Sequence, residues 1–212
     1  MRENGRHAST RLLRVPMKPA PAKAGSVRII GGRWRGTKLP VPDVPGLRPT
    51  ADRVRETVFN WLQPVLPGAR VLDLFAGSGA FGLESLSRGA REAVLVDEDA
   101  RACEALRATV ERLGASADAR VHRADALALL QAPLHGRFDI VFLDPPFASG
   151  AWGRALAALP AWVADDAWLY LQSPRDHVPP APAEWALHRE AGTREVRYAL
   201  YRRTSRPAAG AG

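Results

Sequence analysis

VLDLFAGSGAFG, residues 71–82, runs from an apolar strand-like stretch through a glycine-rich turn into a helical pattern. Gly77, Gly79 and Gly82 satisfy G-x-G-x-x-G, the spacing with which a parallel α/β sheet brings its backbone close to a ligand at a strand's carboxyl end. The stretches on its C-terminal side repeat the same unit. Strands are expected at Val71–Phe75, Ala93–Asp97, Arg120–His122 and Phe138–Leu143, separated by helical segments, which is the signature of a parallel sheet wound with helices. AWLYLQ, residues 167–172, adds a fifth strand. WALHRE (185–190) and VRYALYRR (196–203) alternate apolar and polar residues around Gly192 and fit an antiparallel pair at the sheet edge. The expected fold class is α/β.

Two helices have clear limits. DARACEALRATVERLG, residues 99–114, has Asp99 as N-cap, Cys103, Leu106, Val110 and Leu113 at helical spacing, and Gly114 as its stop. LRPTADRVRETVFNWL, residues 47–62, offers Thr50 as N-cap, Asp52 in the first turn, and Val54, Val58, Trp61 and Leu62 as the apolar stripe, with Pro64 as the stop. Ahead of it, SVRIIGGRWRGTKLPVP (26–42) reads as two short strand-like runs about Gly31–Gly32, with Trp34 among basic residues. Residues 1–25 carry Arg, Lys, Pro and Ala with few large apolar groups and are expected to be disordered. The expected division is a basic arm over 1–25, a small basic extension over 26–50, the main domain over 51–204 and a flexible tail over 205–212.

The charge balance narrows the partners. Lys and Arg number 30 against 22 Asp and Glu in 212 residues, a net charge of +8. Such an excess favours a polyanion, nucleic acid first, although an Arg-rich composition alone gives the same count. Cys103 is the only cysteine, so the chain forms no internal disulfide or thiolate zinc cluster. The histidines are scattered and suggest no metal site. No apolar run is long enough to span a bilayer, and the N-terminus lacks the apolar core of a secretory signal. A cytoplasmic protein, without membrane partner and monomeric, is expected.

The glycine loop admits two cofactors. Its spacing, with Asp97 ending the next strand, fits a nicotinamide dehydrogenase. Asp73, four residues before Gly77, argues against this, because a carboxylate beside a pyrophosphate is repelled. A cationic ligand without phosphate, S-adenosylmethionine, makes that acid useful. The glycines then admit the amino acid part of the cofactor, Asp97 accepts the ribose hydroxyls, and Asp125, in RADAL, is placed to accept from the adenine amino group. Asp125 fits equally the N-cap of a helix over ALALL.

FLDPPF, residues 142–147, closes the fourth strand on the same edge. An exocyclic amine on a purine is a poor nucleophile because its lone pair is delocalised into the ring. Asp144 and the Pro145 carbonyl can accept its two hydrogens and aim the lone pair at a methyl group. Pro145 and Pro146 fix the backbone, and Phe147 offers a face for base stacking. Asp144 or water takes the final proton. A D-P-P-F turn with a buried Phe is the plain structural alternative.

VLDLFAGSGAFG, VLVDED and FDIVFLDPPF resemble motifs of the class I S-adenosylmethionine-dependent methyltransferases that modify exocyclic amino groups. RIIGGRWRGTKLPVP followed by LRPTADRVRETVFNWL resembles, more narrowly, the bacterial 16S ribosomal RNA (guanine-N2)-methyltransferases of the RsmD family. The resemblance runs from about Val27 to Arg202. It implies a Rossmann-like, seven-stranded, mostly parallel sheet with helices on both faces. It also implies S-adenosylmethionine as donor and N2 of guanine 966 of 16S rRNA as acceptor, within a partly assembled small ribosomal subunit. By motif position, Asp73, Phe75, Gly77, Ser78, Gly79, Asp97, Asp125 and Ala126 would line the cofactor site, and Asp144, Pro145, Pro146 and Phe147 would hold the guanine. Arg33, Trp34, Arg35, Arg48, Thr50, Arg53 and Arg55 would face RNA. In the family Glu is common where Asp97 stands, and an acid is common near Gln172.

Alternatives stand beside that set. Trp34 suits packing as well as base contact, and Arg53 and Arg55 can pair with Asp52 or Glu56 along their helix. Rival functions are methylation of DNA adenine or another amino group, and a non-catalytic RNA-binding assembly factor. The small N-terminal module, in place of a larger DNA-reading domain, weighs against DNA.

Overall fold

The computed structural model describes residues 25–42, 44, 50–132 and 136–204. The expected arm up to residue 24, the tail from 205 and Arg48 lie outside the described residues. Within them a hairpin of β1 (Ser26–Arg28) and β2 (Lys38–Pro40) precedes α1 (Asp52–Leu62). The alternating portion follows as β3 (Arg70–Asp73), α2 (Gly82–Ser87), β4 (Glu92–Asp97), α3 (Ala100–Arg112), β5 (Ala119–Arg123), α4 (Ala126–Leu129) and β6 (Phe138–Leu143). Then come α5 (Trp152–Ala158), β7 (Val163–Pro174), β8 (Trp185–Gly192) and β9 (Val196–Arg203).

The seven-stranded sheet has the order β5-β4-β3-β6-β7-β9-β8. Pairs from β5 to β7 are parallel, and β9 is inserted antiparallel between β7 and β8. The chain therefore winds outward from β3 through β4 to β5, then returns to lay β6 on the other side of β3. That reversal is the topological switch point at which open α/β sheets hold ligands, and the glycine loop and D-P-P-F leave β3 and β6 there.

Period-two alternation explains why helices cover both faces. Val71, Leu95, Ile140 and Phe142 point to one side and are buried with Val58, Phe59 and Leu62 of α1, Leu83 of α2 and Leu106 of α3. Leu72, Val94, Val141 and Leu143 point to the other and are buried with Trp152 and Leu156 of α5 and Trp162. Val27, Ile29, Leu39 and Val41 of the hairpin belong to the first layer. Asp99 caps α3 as expected, accepting from the amides of Arg101 and Ala102 at 2.8 and 3.1 Å.

One expected cap is corrected. The N-cap position of α1 is Ala51, which makes no side-chain capping bond. Thr50 instead spends its hydroxyl on a tertiary partner, and the first turn is stabilised by Asp52, whose carboxylate suits the positive end of the helix.

Candidate active site at the carboxyl edge of the sheet

β3 delivers Asp73 to the base of the glycine loop, where it is 3% exposed. Its Oδ2 accepts from the Gly82 amide at 3.0 Å, closing the loop onto the start of α2. Burial pushes its carboxyl up to about 7; the Gly82 bond opposes this, while the Asp144 and Asp97 charges add to it. Gly79 sits at φ 77°, and a Cβ there would meet Leu106 and Leu83 at 2.7 and 2.8 Å, so the loop tolerates no side chain at that point.

Asp97 ends β4 alongside. Its Oδ2 accepts from the Gly77 amide and its Oδ1 from the Asp99 amide, each at 2.9 Å. Each oxygen keeps a further lone pair for an incoming donor. Phe75 is half-buried beside this loop and Ser78 is buried. Asp125, after β5, is exposed and caps α4, accepting from the Ala128 amide at 2.9 Å, with Ala126 buried behind it. The capping role weighed for Asp125 is thus present in the structure, at the same edge as the other acids.

β6 delivers the fourth acid. Asp144 is half-buried, and its Oδ2 accepts from the Thr50 hydroxyl at 2.9 Å. Burial brings its carboxyl up to about 6, with the Thr50 bond pulling the other way. Pro145 is buried and Pro146 exposed. Phe147, expected by the plain alternative to be a buried turn residue, is 41% exposed, its ring 6.1 Å from Trp152. Beneath the acids Phe81 stacks on Phe142 at 4.7 Å and packs against Tyr170 at 4.8 Å. The Tyr170 hydroxyl donates to Gln172 at 2.8 Å, so the position without the family's common acid still has an acceptor role.

Asp73, Asp97 and Asp144 come from three adjacent strands. Among the described residues none has a cationic partner. Such a cleft repels a pyrophosphate and accepts a cation, which is the test that a sulfonium- and ammonium-bearing ligand passes and a dinucleotide fails. Among the described residues no three His, Cys, Asp or Glu side chains are grouped to hold a metal, and no helix is long and apolar enough to cross a membrane.

The residues expected to face RNA divide. Arg33 is exposed, pairs with Asp118 at 3.3 Å and lies over the Trp34 ring at 4.1 Å. Trp34 is half-buried against the first core layer. Arg35 and Arg53 are exposed. Arg55 is a correction: it is fully buried, donating to Glu84 at 3.0 Å, to Asp52 at 2.7 Å and to the Arg28 carbonyl at 2.7 Å. Its charge holds the fold together because Glu84, also fully buried, accepts from Arg88 as well, at 2.7 and 2.9 Å. Sequence reasoning weighed the Asp52 pair and missed Glu84, which lies 29 residues on and reaches Arg55 only through tertiary packing. Thr50 is turned toward Asp144, which sequence reasoning also missed.

The family model described as "Conserved hypothetical protein 95" matches residues 27–202. An Escherichia coli protein named "Ribosomal RNA small subunit methyltransferase D" is 48% identical over 189 residues, 88% of this chain and 94% of its own. A Haemophilus influenzae protein of the same name is 40% identical over 185 residues, 85% of this chain and 96% of its own. The solved structure of the Escherichia coli protein yhhF superposes with a TM-score of 0.79 at 47% identity, covering 86% of this chain and all of that one.

Proposed function

The chain belongs to the RsmD family of methyltransferases, and from that premise we propose that it methylates N2 of guanine 966 in 16S rRNA of a partly assembled small ribosomal subunit in the cytoplasm, with S-adenosylmethionine as donor. The observation that carries the reading is the meeting of a cation-seeking acid cluster with D-P-P-F at one switch point. S-adenosylmethionine, when bound, supplies a methyl group on a positively charged sulfur.

This chain's residues do the rest. Asp73 faces the cationic amino acid portion, Asp97 accepts the ribose hydroxyls, and Gly77, Ser78 and Gly79 line the backbone approach with Phe75 beside them. Asp125 and the buried Ala126 bound the adenine end. Asp144 and the Pro145 carbonyl accept the two N2 hydrogens of the guanine, whose base stacks on the exposed Phe147. Held this way, N2 would take the methyl group that the bound donor supplies, with the electron pair of the broken sulfur–carbon bond left on sulfur. Asp144, with a carboxyl near 6, takes the proton that N2 sheds and passes it to water. Arg33, Arg35 and Arg53 hold the RNA backbone.

The test is transfer from labelled S-adenosylmethionine to small subunits isolated from cells lacking this protein, followed by mapping of the labelled nucleotide. The expected outcome is N2-methylguanine at one position, with Asp144→Ala slowing transfer by about 10²-fold or more while cofactor affinity stays near the parent's. Cofactor binding with no label in RNA would overturn the RNA reading in favour of a DNA or protein acceptor.

A further inference from the structure

Thr50 stands 94 residues from Asp144 in the chain and reaches it with a 2.9 Å hydrogen bond. The base from which it projects is fixed. The Ala51 carbonyl accepts from the amides of Val54 and Arg55 at 3.0 and 3.1 Å. Asp52 is tied to Arg55, and Arg55 to Glu84 on α2, the helix that the glycine loop enters. The hydroxyl is therefore held relative to both the cofactor loop and β6.

We propose that Thr50 is a positioning residue for the transfer, aligning the Asp144 carboxylate through Oδ2 so that Oδ1 is left to accept from the guanine amine. The inference rests on the methyltransferase reading above, in which Asp144 contacts the acceptor. A hydroxyl that donates to a carboxylate favours its ionised, accepting form. The groups facing Asp144 make this matter. Asp73 on β3 and Tyr170 on β7 are the titratable neighbours among the described residues, and neither supplies positive charge. The Tyr170 hydroxyl donates to Gln172 and not to Asp144. Thr50 thus opposes burial alone among them.

The experiment compares the parent protein with Thr50→Val, which keeps the shape, and Thr50→Ser, which keeps the hydroxyl. Transfer to small subunits is followed from pH 5 to 8 at saturating cofactor and subunits. For Thr50→Val, kcat should fall about tenfold and its acidic limb should move to higher pH, because Asp144 loses a bond that held its carboxyl down. Thr50→Ser should restore both, and cofactor affinity should stay unchanged throughout. A loss confined to KM for the subunit, with the limb unmoved, would overturn the proposal and return Thr50 to the RNA-contacting set; an unchanged kcat would overturn it outright. Absence of transfer by the parent protein would instead reject the reading on which the proposal rests.

Discussion

Glu84 and Asp73 are both buried acids, at 0% and 3% exposure, and the fold treats them oppositely. Glu84 is met by two guanidinium groups and an amide: Arg88 bridges one oxygen, while Arg55 and the Ile30 amide reach the other. Burial raises its carboxyl above the usual carboxylate range, and those partners oppose the rise without cancelling it. Asp73 accepts from the Gly82 amide and has like charges, Asp144 and Asp97, as its electrostatic neighbours. A buried acid balanced from within the chain binds parts of the fold to one another. One left unbalanced makes a place for a cation from outside, at some cost to the stability of the empty protein.

Breaking the balanced site should have the largest effect. Glu84→Gln leaves Arg88 without its counter-charge and the buried Arg55 with only the exposed Asp52, and removing one partner of a buried pair costs about 3–5 kcal/mol. Denaturant unfolding should show that loss, and amide exchange should accelerate in β1, whose Arg28 carbonyl depends on Arg55. Replacing both members, Arg55→Met with Glu84→Leu, should recover much of it. A Glu84→Gln change within about 0.5 kcal/mol of the parent, the range of an ordinary surface substitution, would erase the contrast.

Asp73→Asn should shift stability the other way. The folded-state carboxyl, at about 7, lies above its unfolded value of 3.8, so the folded chain keeps a proton that the unfolded chain has lost. The parent's stability should then fall as pH rises from about 4 to about 7, and Asp73→Asn should gain at pH 8, on the order of a few kcal/mol, and nothing at pH 4. Calorimetric affinity for S-adenosylmethionine carries the complementary signature. It should rise with pH toward 7 as Asp73 ionises, by up to about tenfold per unit, and fall again above about 8 as the ligand's own amino group loses its proton. The asparagine variant should bind weakly and lack the acidic limb. A flat profile in the parent would mean that Asp73 does not meet the cation.

The contrast was only half visible in the sequence. Strand and helix positions followed from alternation and glycine punctuation, which are local. Asp73, Asp97 and Asp144 could be grouped because each stands at a strand's carboxyl end, a position the sheet topology makes common. Arg55 could not be assigned that way, since its Glu84 partner lies 29 residues on and only packing of α1 against α2 makes a buried guanidinium tolerable. Thr50 followed a sound local rule to the wrong partner, because an N-cap preference worth about 1 kcal/mol competes poorly with a bond to the half-buried Asp144 carboxylate. Gly32 is similar: read as a turn residue, it is at φ 79° and lies so close to α2 that a Cβ would overlap the Ser87 carbonyl.

The smallest effect on stability, and the finest resolution of the comparison, comes from the arginines that the hub leaves out. Arg35 is exposed and makes no ion pair among the described residues, so Arg35→Glu should leave unfolding within about 0.5 kcal/mol of the parent. Its cost should appear in RNA binding. A protein that neutralises one phosphate fewer releases one counterion fewer, so the slope of log affinity against log salt should flatten by about 1. Arg55, in the same stretch of charge but enclosed by Glu84 and Asp52, has no such counterion to release. An unchanged slope for Arg35→Glu would remove Arg35 from the RNA-binding face and leave Arg33 and Arg53 to form it.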